Sequence, residues 1–446
     1  MSSSSIGDMR ERHTTQAEWT NWAGNQHARP TACPRPRTGS EVCDIVARAP
    51  GHIKAVGAGH SFTGAAVTDG TMISLERLVG IEGIAPGPEG TTDVTVRAGT
   101  RLRVLNELLH DRGLGLLNMG DIDAQTVAGA ISTGTHGTGA RFGGLSSQVV
   151  GVRIVCADAR EIDVSQGPLF ECARLGIGAF GILTAVTLRC VPAFVLEAVE
   201  TPGRLGDALE RFPDDMRTVD HPEFYWFPHT DRVLTKRNRR RPGHTPLRPV
   251  GTLAHLVDDE LLSNSAFEAL NRVTTRFPSL IPRVNRVSAS AWSGRTFTDR
   301  SDRVFASPRR VRFREMEYAI PPEALPEVIG AIDRWIDRTG YRVTFPVEVR
   351  CAAADDVWLS TAFGRPSVYV AVHQYHLRPD GGYFSTVAAI ARDVGGRPHW
   401  GKLHSLTSDE LRPLYPRFDD AIAELVRVDP EGRFANDYTG RILTGR

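Results

Sequence analysis

Residues 172–191 read CARLGIGAFGILTAVTLRCV and contain a G-x-G-x-x-G spacing at Gly176, Gly178 and Gly181. Such a spacing marks a dinucleotide-binding turn only where a strand precedes it and a helix follows. Here Pro168 begins an apolar repeat typical of a helix, and the β-branched residues after Gly181 predict a strand. A helix that leads into a strand cannot point its N-terminus at a pyrophosphate. The sequence therefore excludes a Rossmann unit at this position.

The length and composition of the chain indicate a globular protein of more than one domain. It has 446 residues, and its 53 basic and 52 acidic residues leave a net charge of +1, which does not favour a polyanionic partner. The six cysteines form no C-x-x-C pair, so we expect no metal site and a reducing compartment. Neither a secretory leader nor a membrane-spanning apolar run is found, and a cytoplasmic protein is expected.

Helix-like and strand-like segments alternate without an internal repeat, which predicts an α+β protein. Beyond residue 192 proline, arginine and aromatic residues become more frequent, and a second α+β domain is expected there. Within it, KRNRRR at 236–241 and the residues that follow predict a solvated basic loop. A nucleic-acid contact is the alternative interpretation, although no aromatic residues are interleaved with these charges.

The strongest candidate site is the turn VGAGHSFTG, residues 56–64. Gly57 and Gly59 follow a predicted strand and offer backbone N–H groups that suit a phosphate or pyrophosphate. His60 adds an imidazole that a plain phosphate loop does not need. A neutral histidine beside a pyrophosphate suits attack on the 8α-methyl carbon of a flavin, which would hold FAD covalently. The alternative is a turn histidine that only hydrogen-bonds to its neighbours.

Three further clusters carry polar or glycine-rich chemistry. STGTHGTGA at 132–140 is a second turn whose hydroxyl and amide groups could hold the rest of a pyrophosphate. PVEVRC places Glu348 and Arg350 two residues apart on a predicted strand, hence on one face. GGRPHWGKLH at 395–404 contributes Lys402, and a lysine beside a flavin would stabilise negative charge on the reduced ring. A surface cross-strand pair and a solvated Trp-Gly turn are the alternatives for the last two clusters.

Together these motifs resemble the aldonolactone oxidoreductases of the vanillyl-alcohol-oxidase flavoprotein superfamily, the group of gulonolactone and arabinonolactone oxidases and bacterial gulonolactone dehydrogenases. The resemblance runs from WTNWAGNQ at 19–26 almost to the C-terminus and includes LGIGAFGILTAVTL at 175–188. It implies a two-domain α+β flavoprotein. The expected division is an N-terminal tail over 1–18, an FAD-binding domain over 19–195, a substrate or cap domain over 196–404, and C-terminal helices over 405–446 that return to the FAD domain.

The resemblance also implies roles for individual residues. His60 would be the covalent FAD anchor, since members that lack the bond carry another residue there. Glu348, Arg350 and Lys402 would line the substrate side of the flavin, with His373 on the neighbouring strand. The implied FAD contacts are Gly57, Ala58, Gly59, Ser61, Phe62, Gly120, Thr126, Gly129, Ser132, Thr133, Gly134, His136, Gly137, Gly181 and Ile182.

Two positions in LLNMGDIDA, residues 116–124, bear on specificity. Gly120 aligns with a small residue that lies beside the reactive edge of the flavin in the family, where glycine tends to leave room for oxygen. Its alternative role is that of a turn glycine that needs a positive φ. Asp121 stands where polyol-oxidising relatives have serine and is added to the catalytic candidates. This departure puts a simple alditol substrate in doubt.

The function that the resemblance implies is FAD-dependent oxidation of a sugar 1,4-lactone, with L-gulono-1,4-lactone giving ascorbate as the first expectation. Hydride would pass to the flavin, and the electrons would go on to O2 or to an acceptor protein or quinone. An alditol oxidase acting on xylitol or sorbitol is one alternative. A flavin-free carbohydrate- or nucleic-acid-binding protein that uses KRNRRR is the other.

Overall fold

Residues 182–192 form the central strand of the first sheet. The computed structural model describes residues 18–251, 266–291, 294–307 and 311–445, so residues 1–17 of the predicted tail lie outside the described part. In the described residues this sheet has six strands in the order β5-β6-β10-β8-β9, and β7 also pairs with β10. The strands are β5 Ile81–Pro86, β6 Thr92–Arg97, β7 Leu114–Leu116, β8 Val149–Val155, β9 Glu161–Val164 and β10 Ile182–Pro192.

Two small strand pairs stand beside this sheet. One is the antiparallel pair β1 Trp19–Thr20 and β2 His27–Ala28, and the other is the parallel pair β3 Ile53–Val56 and β4 Thr71–Ser74. β3 leads into the 56–64 turn, as the sequence predicts.

A second sheet begins at Phe194, two residues after β10 ends. Among the described residues it has eight strands in the order β14-β11-β13-β12-β16-β17-β15-β18. They are β11 Phe194–Arg204, β12 His221–Trp226, β13 Arg232–Pro242, β14 Arg295–Arg300, β15 Phe313–Ile320, β16 Val347–Ala352, β17 Ser367–Tyr375 and β18 Arg397–Pro398.

The helices cover both sheets. They are α1 Gly39–Arg48, α2 Leu102–His110, α3 Val127–Ser132, α4 Pro168–Ala173, α5 Leu205–Thr218, α6 Ala266–Arg276, α7 Ile281–Ala291, α8 Ser301–Phe305, α9 Leu325–Thr339, α10 Tyr383–Asp393, α11 Ser408–Leu411, α12 Phe418–Val428 and α13 Asp437–Thr439. A capping box with Thr407 and Glu410 begins α11. Among the described helices, none combines the length and the apolar composition that crossing a bilayer requires.

Each sheet has its own apolar core. The core of the first sheet includes residues from α1 to β10 and also C-terminal residues such as Phe418 and Ile442. The core of the second sheet joins alternate strand residues, such as Val349 and Val370, to apolar faces of α5, α9 and α10. The boundaries predicted at residues 195 and 404 stay a prediction.

Residues 168–192 have the predicted order of elements. α4 precedes the glycines, with Pro168 at its start, and β10 follows them. A Cβ on Gly181 would lie 2.7 Å from the side chain of Ile154 and 2.8 Å from the carbonyl oxygen of Val155. The turn therefore needs glycine for close packing against β8, and the Rossmann interpretation stays excluded.

The prediction of a solvated basic loop at 236–241 is wrong. These residues belong to β13, which pairs with β11 on one side and β12 on the other. Their charges are largely matched within the protein, for example Arg237 by Asp215 at 2.8 Å and Arg241 by Glu197 at 3.1 Å. A run of basic residues does not show which acidic residues lie on the neighbouring strands. The sequence therefore predicted a solvated loop where the structure has a strand with paired charges.

The packing of Gly181 gives a test of the fold. We expect Gly181→Ala to lower the free energy of unfolding by about 1–3 kcal/mol, because its φ is +144° and the added Cβ would meet β8. Gly206→Ala is the control, since no atom lies within 4 Å of the added Cβ on α5. Urea unfolding of both variants measures the difference, and equal free energies for the two would contradict this account.

Candidate active site

One face of the eight-stranded sheet is lined with charged and polar side chains that are almost completely buried. Glu317 pairs through Ala371 with Glu348, and Glu348 pairs with Tyr225, so these side chains stand on the same face. The opposite face carries the apolar residues of the core. Carboxylates are rarely buried unless they are paired, so this face indicates a site rather than packing.

Arg350 on β16 is the cation at the centre of this face. Its guanidinium lies 2.5 Å from Glu348, 2.9 Å from Glu223 and 3.6 Å from Asp121. Burial acts to lower the pKa of Arg350, but the charges of these carboxylates outweigh it and raise the pKa well above its usual value. Tyr225 donates its hydroxyl hydrogen to Glu348 at 2.8 Å. Arg350 is thus a fixed cation whose orientation is set from three sides.

Lys402 supplies a second cation. Its ammonium forms an ion pair with Glu315 and lies 4.0 Å from Glu317. Burial acts to lower the pKa of Lys402, and the two carboxylates more than offset this and raise it. In Glu315, burial acts to raise the pKa, but Lys402 and His373 lower it to about 2. Both members of the Lys402–Glu315 pair are therefore ionised at neutral pH.

His373 lies between the two cations. Its Nδ1 is 3.3 Å from the carbonyl oxygen of Pro346, and its Nε2 is 3.5 Å from Glu315. A ring nitrogen of His373 and carboxylate oxygens of Glu315 and Glu348 lie within 4.8 Å of one another. The charged groups around Arg350 and Lys402 thus form one continuous polar surface.

The 56–64 turn reaches this surface from the first half of the chain. The backbone N–H of Phe62 donates to the carbonyl oxygen of Gly401 at 2.8 Å, and Lys402 lies 5.4 Å above the Phe62 ring. His60 stacks on Trp22, with ring centroids 5.6 Å apart. Burial, followed by the charges of Arg101, Arg103 and Lys402, lowers the pKa of His60 to about 4. The imidazole is therefore neutral, as a nucleophile must be.

Residues 19–26 hold that turn in place. Asn21 donates to the carbonyl oxygen of Ser61, and Asn25 donates to that of Phe62, each at 2.9 Å. The backbone N–H of Trp22 donates to the carbonyl oxygen of Gly59 at 2.8 Å. Through these hydrogen bonds the polar segment at residues 19–26 fixes the backbone of the 56–64 turn.

The other sequence motifs also contact one another. A Cβ on Gly57 would lie 2.3 Å from Oγ1 of Thr126, which caps α3 by accepting the N–H of Gly129. Gly139 donates its N–H to Cys351, directly beside Arg350. The second glycine-rich turn therefore connects the first turn with the second sheet. Its predicted site residues are Ser132, Thr133, Gly134, His136 and Gly137.

Gly120 has a steric role rather than a conformational one. Its φ is not positive, so the interpretation as a left-handed turn glycine is wrong. A Cβ there would lie 3.0 Å from the carbonyl oxygen of His136 and from the Thr135 methyl group. The backbone next to Asp121 thus passes close to the second turn.

The residues present fit a flat cofactor such as FAD. Gly57, Ala58, Gly59, His60 and Ser61 stay partly exposed between buried neighbours, and Gly57 has no side chain to obstruct the approach of a ligand. The turn offers backbone N–H groups, a neutral imidazole and, through Lys402, a cation. By contrast, Gly181 and Ile182 are buried by β8, and the structure shows a packing role for them.

Several groups of this surface were not predicted from the sequence. A signal was available in FREMEYAI at 313–320, where acids alternate with apolar residues on a strand of otherwise buried character. Such a pattern indicates one apolar face and one buried polar face. The residues not predicted are Glu223, Tyr225, Lys236, Glu315 and Glu317.

Comparison with known proteins shows the family to which the chain belongs. The D-arabinono-1,4-lactone oxidase family matches residues 186–442, and an FAD binding domain matches residues 30–165. An L-gulono-1,4-lactone dehydrogenase of Mycobacterium tuberculosis is 41% identical over 433 residues, with 95% of this chain and 99% of the relative covered. An L-gulonolactone oxidase of Scyliorhinus torazame is 30% identical over 96% of this chain and 98% of the relative. An alditol oxidase of a Streptomyces species is 30% identical over 96% of this chain and 99% of the relative.

The fold is shared with solved cholesterol oxidases. A cholesterol oxidase from Brevibacterium sterolicum superposes with a TM-score of 0.78 at 17% identity, and the match covers 96% of each chain. The family match spans more than half of the chain and the relatives cover nearly all of it. The chain therefore belongs to the D-arabinono-1,4-lactone oxidase family of FAD-dependent oxidoreductases that act on CH–OH groups.

Proposed function

We propose that the protein oxidises a sugar 1,4-lactone, and that L-gulono-1,4-lactone, which would give ascorbate, is its substrate. The observation that carries this proposal is the buried polar face around Arg350 and Lys402, which lies directly beside the 56–64 turn. A polyhydroxylated lactone offers hydroxyl and carbonyl oxygens to such a surface. The names of the relatives support this substrate class.

Bound FAD supplies a hydride acceptor, and the residues of the chain supply position and charge. The Arg350 guanidinium binds the lactone oxygens and stabilises the negative charge that develops on the substrate. The Lys402 ammonium does the same on the cofactor side. His373, whose Nε2 lies 3.5 Å from Glu315, contacts the substrate hydroxyl from the same surface. Glu348 orients Arg350 through the 2.5 Å contact.

Two features of the first half of the chain complete the proposal. His60, neutral and partly exposed, forms the covalent bond to the cofactor. Gly120 leaves room for oxygen beside the cofactor, and Asp121 helps to hold Arg350 at 3.6 Å. An acceptor protein or a quinone is the other destination for the electrons, and xylitol or sorbitol oxidation is the competing activity.

An anaerobic titration with L-gulono-1,4-lactone tests the function directly. We expect the lactone to bleach the yellow flavin band, because the substrate reduces the cofactor, and air to restore it. Bleaching that persists in air means an acceptor other than oxygen and contradicts the role of Gly120. A fully loaded protein that xylitol bleaches and lactones do not would refute the lactone assignment.

A variant of Arg350 tests the proposed charge stabilisation. We expect Arg350→Lys to reduce kcat for the lactone by about 10²–10³-fold while FAD stays bound, because lysine cannot contact Glu348 and Glu223 together. Arg300→Lys is the matched control, since Arg300 also bridges two carboxylates, Glu107 and Asp302, away from the site. Equal losses in both variants would show that Arg350 serves stability alone.

The covalent anchor is tested by acid precipitation of the holoprotein. We expect the flavin of the unaltered protein to remain in the precipitate and that of His60→Ala to pass into the supernatant. His27→Ala, which removes an exposed histidine, should behave like the unaltered protein. Flavin that precipitates with His60→Ala, or that is released from the unaltered protein, would refute the assignment.

A further inference from the structure

The histidine of the second glycine-rich turn, His136, lies between two groups that both accept hydrogen bonds. Its Nδ1 is 2.9 Å from the carbonyl oxygen of Gly137, and its Nε2 is 3.2 Å from Oε1 of Glu317. A neutral imidazole has a single N–H and satisfies one acceptor only. Both contacts are satisfied together when both ring nitrogens carry a proton, that is, when His136 is an imidazolium.

Glu317 is the other group that could hold this proton, and its surroundings keep it ionised. Burial acts to raise the pKa of Glu317, but His136, Lys402 and His399 outweigh it and hold the pKa far below its usual value. Lys402 lies 4.0 Å from the second oxygen of the carboxylate. The proton therefore resides on His136.

The environment of His136 also favours a cation. Its ring stacks on Tyr369, with centroids 3.6 Å apart and an angle of 22° between the planes. An aromatic face attracts a cation placed over it, and the attraction is stronger where water is excluded. His136 is only 5% exposed. The imidazolium is thus fixed by a carbonyl, a carboxylate and a ring.

The charge of His136 affects which groups the Lys402 ammonium can interact with. Lys402 contacts both Glu315 and Glu317. We propose that His136 is a buried imidazolium that neutralises Glu317 and so leaves the Lys402 ammonium available to substrate and cofactor. It is a positioning residue, because it acts through Glu317 and Lys402. The effect on catalysis rests on the proposed function, whereas the charge state of His136 does not.

Two nearby histidines serve as internal references, because both are neutral. His399 accepts the backbone N–H of Gly401 at Nδ1, which leaves its proton on Nε2, and burial lowers its pKa to about 4. His221 donates from Nδ1 to the carbonyl oxygen of Thr138 at 2.8 Å, and burial lowers its pKa to about 4. His136, His221 and His399 therefore have three different protonation states.

The same hydrogen bonds argue against a metal ion between His136, Glu317 and His399. A ligand atom from each lies within 4.8 Å of the other two, a spacing that a metal site would share. Nδ1 of His399 already accepts the backbone N–H of Gly401, and both ring nitrogens of His136 already face hydrogen-bond acceptors. A salt-bridged imidazolium accounts for the contacts without a metal.

Nuclear magnetic resonance of the ¹⁵N-histidine-labelled holoprotein tests the charge state. At about pH 8 we expect one buried histidine with both nitrogens protonated, because the ring of His136 faces two hydrogen-bond acceptors. His399 and His221 should show the two neutral patterns, and the doubly protonated signal should be lost in His136→Gln. A neutral His136 would overturn the proposal, and this measurement needs only the unaltered chain.

Variants test the consequence for Lys402. We expect His136→Gln to shift the midpoint potential of bound FAD to a more negative value, because Glu317 then draws on the Lys402 charge. Adding Glu317→Gln should move the potential back towards that of the unaltered protein. His221→Gln is the control that should leave it unchanged. An unshifted potential in His136→Gln, or no recovery in the double variant, would overturn the proposal.

These readouts separate the two proposals. The resonance and the potential are measured without any lactone, so they stand whether or not L-gulono-1,4-lactone is the substrate. A shifted potential in a protein that lactones do not reduce would refute the proposed function alone.

Discussion

Neutralisation of the buried carboxylates on one face of the eight-stranded sheet is the constraint on which the structure depends. An unpaired buried charge is strongly destabilising, so each of these groups must meet a cation or a hydrogen-bond donor. Arg350 and Lys236 come from the sheet itself, and Lys236 lies 3.3 Å from Glu223. Lys402 and His136 come from loops outside it. The buried carboxylates of the sheet are therefore neutralised only when those loops pack against it.

The docking loops are rich in glycine because they must lie almost backbone to backbone. A Cβ on Gly137 would lie 2.3 Å from the carbonyl oxygen of Met119, and one on Gly57 would meet Thr126 at a similar distance. Side chains at these positions would push the turns away from the segments around Met119 and Thr126 on which they pack. The same absence of side chains leaves backbone N–H groups free to meet a ligand.

Histidines of the site show how partners set charge. His60 faces Arg101, Arg103 and Lys402, so its neutral form is favoured and it can act as a nucleophile. His136 faces Glu317, and its two hydrogen-bond acceptors favour the cation. The residue type is the same, and the sign of the neighbouring charge decides the chemistry.

The sequence by itself determined the helix-to-strand order at 168–192, the turn after β3, and the pairing of Glu348 and Arg350 on one face. Each depends on local spacing or on alternation along one strand, which the sequence displays directly. Only the tertiary structure decided that residues 236–241 form a strand, that Gly120 serves close packing, and that Glu223, Glu315 and Glu317 belong to the site. These properties depend on which residues of distant segments lie opposite each other. Strand register and loop docking set that arrangement, and neither is encoded in local spacing.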